Sequence, residues 1–596
     1  MINFKYNYSL PIHKTRLHGK VEYRESQRGY LIYGIIFGAI ATLFSPGVFA
    51  QTTTITQIPS PVTPTVPEPP PTPVRPPEEQ PLGIPSPSQT QPKPIPIPGT
   101  FIIKQIEFSG NTAFSNQELI TDKNIQQLLN QPITFTQLLQ IEEIINKKYQ
   151  DAGYINSGAV IPAGQKFPRR GGTLKIQIVE GGIEAIKVRG MRRLNPGYIS
   201  SRLALATKKP LNRNHLLEAL QLLQLDPLIQ NISANLTAGV NPELSLLEVT
   251  VVEADSFSTR IFADNGRAPS VGTFRRGIQI NERNLLGWGD GIRATYTNTD
   301  GSNAWEIGYI VPLSPRNETI TFNYSRNNTE VIEAPFDRLD ILGDSSAWEI
   351  SLRLPLLQKP SQEFALGLTL SQQESKTKLL GFDFPLSPGA DENGRTRISA
   401  LRFFQEWTTR NPREVFAVRS QFNIGIDAFN ATTNNTPPDT RFFSWRTQGQ
   451  YVRLLAPETL LLLRSDLQLA GSSLVPLEQF AIGGFGSVRG YRQDLLLTDN
   501  GAFLSAEVQI PILRVPESRG ILRIAPFIDF GVGWNSSTET RGDTNTLLAT
   551  GLGLQWQMGN SLDIRLDWGI PLIDGGGGKK TLQENGLYFS VNYSPF

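Results

Sequence analysis

Between residues 256 and 596, apolar and polar side chains alternate in segments of about 9 to 14 residues separated by Gly, Asn, Asp and Pro, with no convincing helical period. Period two sends successive side chains to opposite faces of a sheet. In 522–534, Leu522, Ile524, Pro526, Ile528, Phe530, Val532 and Trp534 share one face, and Arg523, Ala525, Phe527, Asp529, Gly531 and Gly533 share the other. Leu504, Ala506, Val508 and Ile510 oppose Ser505, Glu507 and Gln509, and Ile564, Leu566, Trp568 and Ile570 oppose Asp563, Arg565 and Asp567. About sixteen such segments can be drawn, each long enough to cross a bilayer at a tilt. A sheet in lipid must close, because an open edge leaves backbone groups unsatisfied. The pattern therefore predicts a transmembrane antiparallel β-barrel of about 16 strands over 256–596. Glu306, Glu507, Asp529 and Arg565 face inward on this parity, which predicts a wet lumen. At the end, Leu587, Phe589, Val591 and Tyr593 form the outward set, so the terminal Phe596 falls on the other parity behind Pro595.

Upstream the period changes. A strand over 102–108, with Ile102, Lys104, Ile106 and Phe108 on one face, ends at the turn Ser109-Gly110-Asn111. Thr134 and Gln137 offer a capping box, and Leu138, Ile141, Ile145 and Tyr149 follow at helical spacing up to Gly153. Strands over 155–161 and 173–179 complete a module. The plan repeats: a strand over 184–188, the turn Arg189-Gly190, a helix through Leu216, Leu217, Leu220 and Leu223, then strands over 232–237 and 245–252. Two α+β modules are expected, over 101–182 and 183–255.

The first 50 residues carry Lys5, Lys14, Arg16, Lys20, Arg24 and Arg28 ahead of an apolar run over 30–44 that ends at Val48-Phe49-Ala50. This reads as a secretory signal peptide cleaved after Ala50, since the run is short of the roughly 20 apolar residues of a spanning helix. Residues 51–100 form a proline-rich linker, exemplified by Pro67-Glu68-Pro69-Pro70-Pro71, which favours extended polyproline spacing over a packed core. Cleavage removes six of 56 Lys/Arg and two of 54 Asp/Glu, leaving 50 against 52, so a nucleic-acid partner is not expected. Without cysteine, and with His215 as the one histidine after residue 50, the chain lacks thiol nucleophiles and the means for structural zinc or a Ser-His pair in the barrel. His215, at the start of a leucine-rich helix, reads as surface or packing. Neither an enzyme, a cofactor nor a metal is expected.

One segment has chemistry of another kind. Gly483-Gly484-Phe485-Gly486-Ser487-Val488-Arg489-Gly490-Tyr491 sets a lone arginine at a glycine-hinged tip, within a predicted loop around 476–500. Val488-Arg489-Gly490-Tyr491, together with Phe527-Ile528-Asp529-Phe530-Gly531, resembles the lumen loop and barrel-wall motif of two-partner secretion transporters (TpsB, the haemolysin secretion and activation class), relatives of BamA-type POTRA-barrel proteins. The two modules look like POTRA domains, including their endings Val179-Glu180-Gly181 and Val252-Glu253. The resemblance implies that Arg489 pairs with Asp529 across the lumen, with Gly483, Gly484 and Gly486 as loop hinges. It implies a location in the outer membrane of a didermal bacterium, with POTRA domains in the periplasm capturing a large unfolded exoprotein (TpsA-like) for secretion through the barrel. Outer-membrane lipid and the barrel-assembly machinery are the other partners implied. The family also commonly has an N-terminal plug helix, for which the segment Gln51 to Ile58 is too short and Thr-rich. Two alternatives stand beside this reading: an insertase that folds other barrels, and a passive porin or receptor with tethering modules.

Overall fold

The computed structural model describes residues 82–83, 99–168, 170–241, 243–536, 545–575 and 580–595. The signal peptide, most of the proline-rich linker and Phe596 lie outside the described residues.

The first module is a four-stranded sheet in which Thr100–Ser109 sits between Pro132–Thr134 and Gly172–Val179, with Gly158–Val160 on the far edge. The helix Phe135–Asp151 lays Leu138, Ile141, Ile145 and Tyr149 on this sheet, and Thr134 and Gln137 form the capping box read in the sequence. Two short helices, Asn116–Ile120 and Lys123–Leu128, were not read, although Ser115 and Glu118 make a capping box of their own. The first strand also corrects an expectation. A register shift between Ile103 and Gln105 brings Ile103, Ile106 and Phe108 to the buried side and leaves Ile102 only half-buried, so simple alternation from Ile102 fails there. The strand expected over 155–161 is confined to Gly158–Val160.

The second module repeats this layout with Gly182–Arg189, helices Pro196–Ala206 and Arg213–Gln224, and strands Ile229–Ala238 and Leu244–Glu253. Its first helix was likewise not read, yet Asn195 caps it with Pro196 at its first turn, a start signal present in the sequence. His215 is exposed.

One device recurs in both modules. Gly110 and Gly190 take φ of +85° and +90°, where a side chain would strike the Ile178 and Val251 carbonyls. Beyond each turn, the glutamate ending the module's last strand holds the loop. Glu180 accepts from the N–H groups of Thr112 (2.7 Å) and Ala113 (2.8 Å) and from the Tyr149 hydroxyl (3.0 Å). Glu253 accepts from those of Arg192 (2.6 Å), Leu194 (3.0 Å) and Arg193 (3.1 Å). Burial pushes both carboxyls up, but these donors outweigh it and hold both below the usual carboxylate range. The stabilisation is therefore complete above about pH 4.3, the ordinary glutamate value, and is lost as pH falls through the lower folded values. Calorimetry of the full chain from pH 6 to pH 3 is expected to show the module transition moving to lower temperature. Glu180→Gln should flatten that dependence at a cost of about 1–3 kcal/mol.

The rest of the described chain is a closed antiparallel barrel of 16 spanning strands. Their lengths run from 7 residues in Leu587–Tyr593, shorter than the segments anticipated, to 18 in Leu342–Lys359 and Gln362–Leu379, longer than anticipated because these two strands continue beyond bilayer thickness. Closure comes from Ser590–Tyr593 pairing with 261–264. Asn265 extends that short ladder with its side chain, donating to the Leu587 carbonyl (2.9 Å) and accepting from the Phe589 N–H (2.8 Å). Turns on the module side are short, as between Lys359 and Gln362. On the opposite side, residues 471–499 leave the ladder and fold into the lumen, carrying the small hairpin Phe480–Ile482 with Leu496–Thr498.

The second module rests on the module-side turns. Arg193 donates to Glu282 (3.0 Å), Ser256 (2.9 Å) and the Asn284 carbonyl (3.1 Å). Arg202 stacks 3.5 Å above the Tyr198 ring and donates to Asn317 (2.9 Å).

Candidate functional site: the lumen loop and its wall

The alternation read in Gly520–Trp534 places Ala525, Phe527, Asp529, Gly531 and Gly533 on the buried side and leaves Ile528 and Trp534 exposed. The lumen loop is pressed against that inner face. The wet lumen expected for all the inward charges holds for Glu306, which is exposed, but not here: Glu507 and Asp529 are buried because the loop takes the place of water.

Arg489 is the largest fully buried side chain of the described chain. Its Nε and Nη2 donate to the two Asp529 carboxylate oxygens at 2.7 and 3.0 Å, its Nη1 to Glu507 at 2.7 Å, and its backbone N–H to Asp529 at 3.1 Å. Ser505 donates a further bond to Asp529 (2.7 Å). Arg565 bridges Glu507 (2.6 Å) and Asp567 (2.7 Å), and Asp567 lies 3.8 Å from Arg489. Burying a guanidinium is tolerable only when its donors are met by carboxylates in this way. The planar fork suits a two-oxygen grip, and its face lies 3.4 Å from the centroid of Phe527. Phe527 is thus the floor beneath the cation.

Gly531 answers a steric demand. A Cβ there would lie 2.6 Å from Ile482 Cγ2 and 2.7 Å from Val488 Cγ2. Val488 is fully buried and packs with Phe480, Ile482, Tyr491, Phe503, Leu547 and Ala549. Gly490, at φ +100°, fits against Ala549, Gly569 and Pro571, and its N–H donates to the Tyr588 hydroxyl (2.9 Å), which in turn donates to the Tyr491 carbonyl. The Tyr491 phenol oxygen lies 2.8 Å from the Ile573 carbonyl and accepts from the Leu548 N–H (3.2 Å).

The three hinge glycines differ. Gly483 and Gly484 take φ of +114° and +92°, with Arg492 and Gln493 backbone atoms 2.6 Å from where a Cβ would sit. Gly486 is not in the positive-φ region and a Cβ there meets open space, so no steric need for glycine exists at that position. The sequence reading also missed Glu507, Arg565, Asp567, Gly569 and Tyr588 as members of the site. Parity had put Glu507, Arg565 and Asp567 on inward faces, but strand pairing was required to bring to one arginine the adjacent strands of Glu507 and Asp529 and, one strand further on across Thr546–Met558, that of Arg565 and Asp567.

Comparison with known proteins bears on the family and the fold. Residues 243–556 match the family model of the haemolysin secretion/activation protein ShlB/FhaC/HecB, and residues 101–181 match the POTRA domain, ShlB-type. The chain is 21% identical over 487 residues to the heme/hemopexin transporter protein HuxB of Haemophilus influenzae (strain 86-028NP), covering 77% of this chain and 82% of that one. It is 22% identical over 433 residues to the outer membrane transporter CdiB of Dickeya dadantii, covering 69% and 74%. The solved structure of CdiB from Escherichia coli superposes with a TM-score of 0.66 at 19% identity over 86% of this chain and 92% of that chain, a likeness of fold.

Proposed function

Because the chain belongs to the haemolysin secretion/activation protein family, we propose that the Arg489 latch holds the lumen loop in a secretion-competent position while a large exoprotein passes through the barrel. The chain is an outer-membrane transporter of the two-partner secretion type, with its POTRA modules in the periplasm. The modules take up the client unfolded, adding its extended segments to exposed sheet edges by backbone hydrogen bonds. The client's folding outside supplies the drive, and neither covalent chemistry nor a nucleotide enters the cycle. Barrel-assembly machinery and lipid act on the chain during its own insertion.

The observation that carries this reading is a single buried arginine, gripped by carboxylates of adjacent wall strands, at the tip of a loop that occupies the lumen. A passive porin has no use for such a latch. Deleting the gene in its native host is expected to strand one large exoprotein in the periplasm and remove it from the medium, as read by mass spectrometry of both fractions. Simultaneous loss of many outer-membrane barrels would instead mark an insertase.

A further inference from the structure

The lumen loop has a second buried ion pair, of opposite polarity, on its entering leg. Glu478, at the end of the short turn Pro476–Glu478, is gripped by Arg402 of the strand Arg395–Arg410 at 2.7 and 3.0 Å. Only 8% of the Arg402 side chain and 5% of that of Glu478 remain exposed. Arg402 also donates to Ser371 (3.0 Å) and Asn423 (3.0 Å) on the strands flanking its own, so the wall fixes the fork before the loop arrives. Around this pair, Leu474, Val475 and Leu477 pack on Ile398, Ala400 and Phe442. Two residues on, Phe480 lies 4.9 Å beneath Arg446, which Asp466 holds at 2.7 and 3.0 Å. At the leg the loop supplies the anion and the wall the cation. At the tip these roles are exchanged, and the wall strands are different ones.

We propose that Arg402 and Glu478 are a second positioning pair of the transporter, and that the loop is a strut clamped at both ends, so that breaking the Arg489 latch alone leaves its entering leg inside the lumen. The proposal rests on the reading of the lumen loop as the transport device. A loop tied only at its tip would leave the lumen once that tie broke. With both clamps, and the more exposed contact of Arg492 with Glu333 (2.8 Å) beyond the tip, clearing the lumen requires more than the rupture of the latch, and the Arg402 clamp sets how often the path opens at rest. The exchanged polarity also prevents the leg from docking in the tip's acidic site, since Glu478 would be repelled by Asp529, Glu507 and Asp567.

The test is single-channel recording of the purified full-length protein in planar bilayers, a readout that needs no client, with heat-modifiable migration on gels as the check of barrel assembly. Glu478→Gln is expected to raise the opening frequency roughly ten- to hundredfold, the scale of losing a charged hydrogen-bonded partner. The exchanged pair Arg402→Glu with Glu478→Arg should return it to within about threefold of the parent. Openings in Glu478→Gln indistinguishable from the parent, while Arg489→Ala opens the channel, would overturn the second clamp and leave the latch reading standing. If neither variant nor their combination changes the openings, the loop does not control the path and both readings fall. Should Glu478→Gln not assemble, Arg402→Lys, which keeps the charge but gives up the fork, is recorded against the same criteria.

Discussion

Arg489→Ala is expected to abolish secretion of the client while the barrel still assembles. The substitution leaves Asp529, Glu507 and Asp567 buried within one cluster with Arg565 as the cation bonded to two of them. Removing one partner of a buried pair costs about 3–5 kcal/mol, chiefly through the charge left uncompensated. That cost falls on docking of the tip rather than on the barrel ladder, because the backbone pairing between Asn500–Val515 and Gly520–Trp534 does not involve the arginine side chain. Arg489→Lys should also fail by a large margin. An ammonium cannot grip both Asp529 oxygens and Glu507 in one plane, and it loses the flat contact with Phe527. Asp529→Asn should retain more function than either, since an amide can still accept from Nε and Glu507 still faces Nη1. Secretion measured as extracellular client per assembled transporter checks the series. Normal export by Arg489→Ala in an assembled barrel would show that the pair only stabilises the fold.

The barrel was legible in the sequence because lipid outside and charge inside impose a strict period of two, which is why Phe527, Asp529 and Gly531 could be placed on one face from 522–534 alone. The first module was less so. A bulge after Ile103 breaks the parity of its opening strand, and short helices such as Lys123–Leu128 carry too few turns for a period to emerge. At the site, the Arg489 and Asp529 motifs were visible as paired sequence signals, but the partners contributed by single residues were not. Arg402 and Glu478 lie far apart in the chain within unremarkable surroundings, and only the folding of the loop across the lumen joins them. Gly569 shows the same limit, since one glycine in an alternating strand gives no sign that another backbone rests on it.

Gly569 supports a second large prediction that separates shape from charge. A Cβ at this position would lie 2.5 Å from Gly490 N, 2.7 Å from Arg489 C and 2.9 Å from Gly490 Cα. These are backbone atoms and cannot rotate aside, so with alanine at 569 the tip must retreat by about 1 Å to reach ordinary contact distance. Arg489 would then be drawn from Asp529 although every charge is still present. Gly569→Ala is therefore expected to lower secretion by about fivefold to a hundredfold, from an overpacking cost of about 1–3 kcal/mol, with the barrel assembled. Gly531→Ala meets only the side-chain ends of Ile482 and Val488, and shortening Val488 to alanine should recover part of its loss. The same shortening cannot relieve Gly569→Ala, because the obstruction there is main chain. Gly486→Ala, with open space around its Cβ, should secrete like the parent. Full secretion by Gly569→Ala would mean that the tip works without the close seat seen in the lumen, and the ion pair would then have to act at longer range than its hydrogen bonds allow.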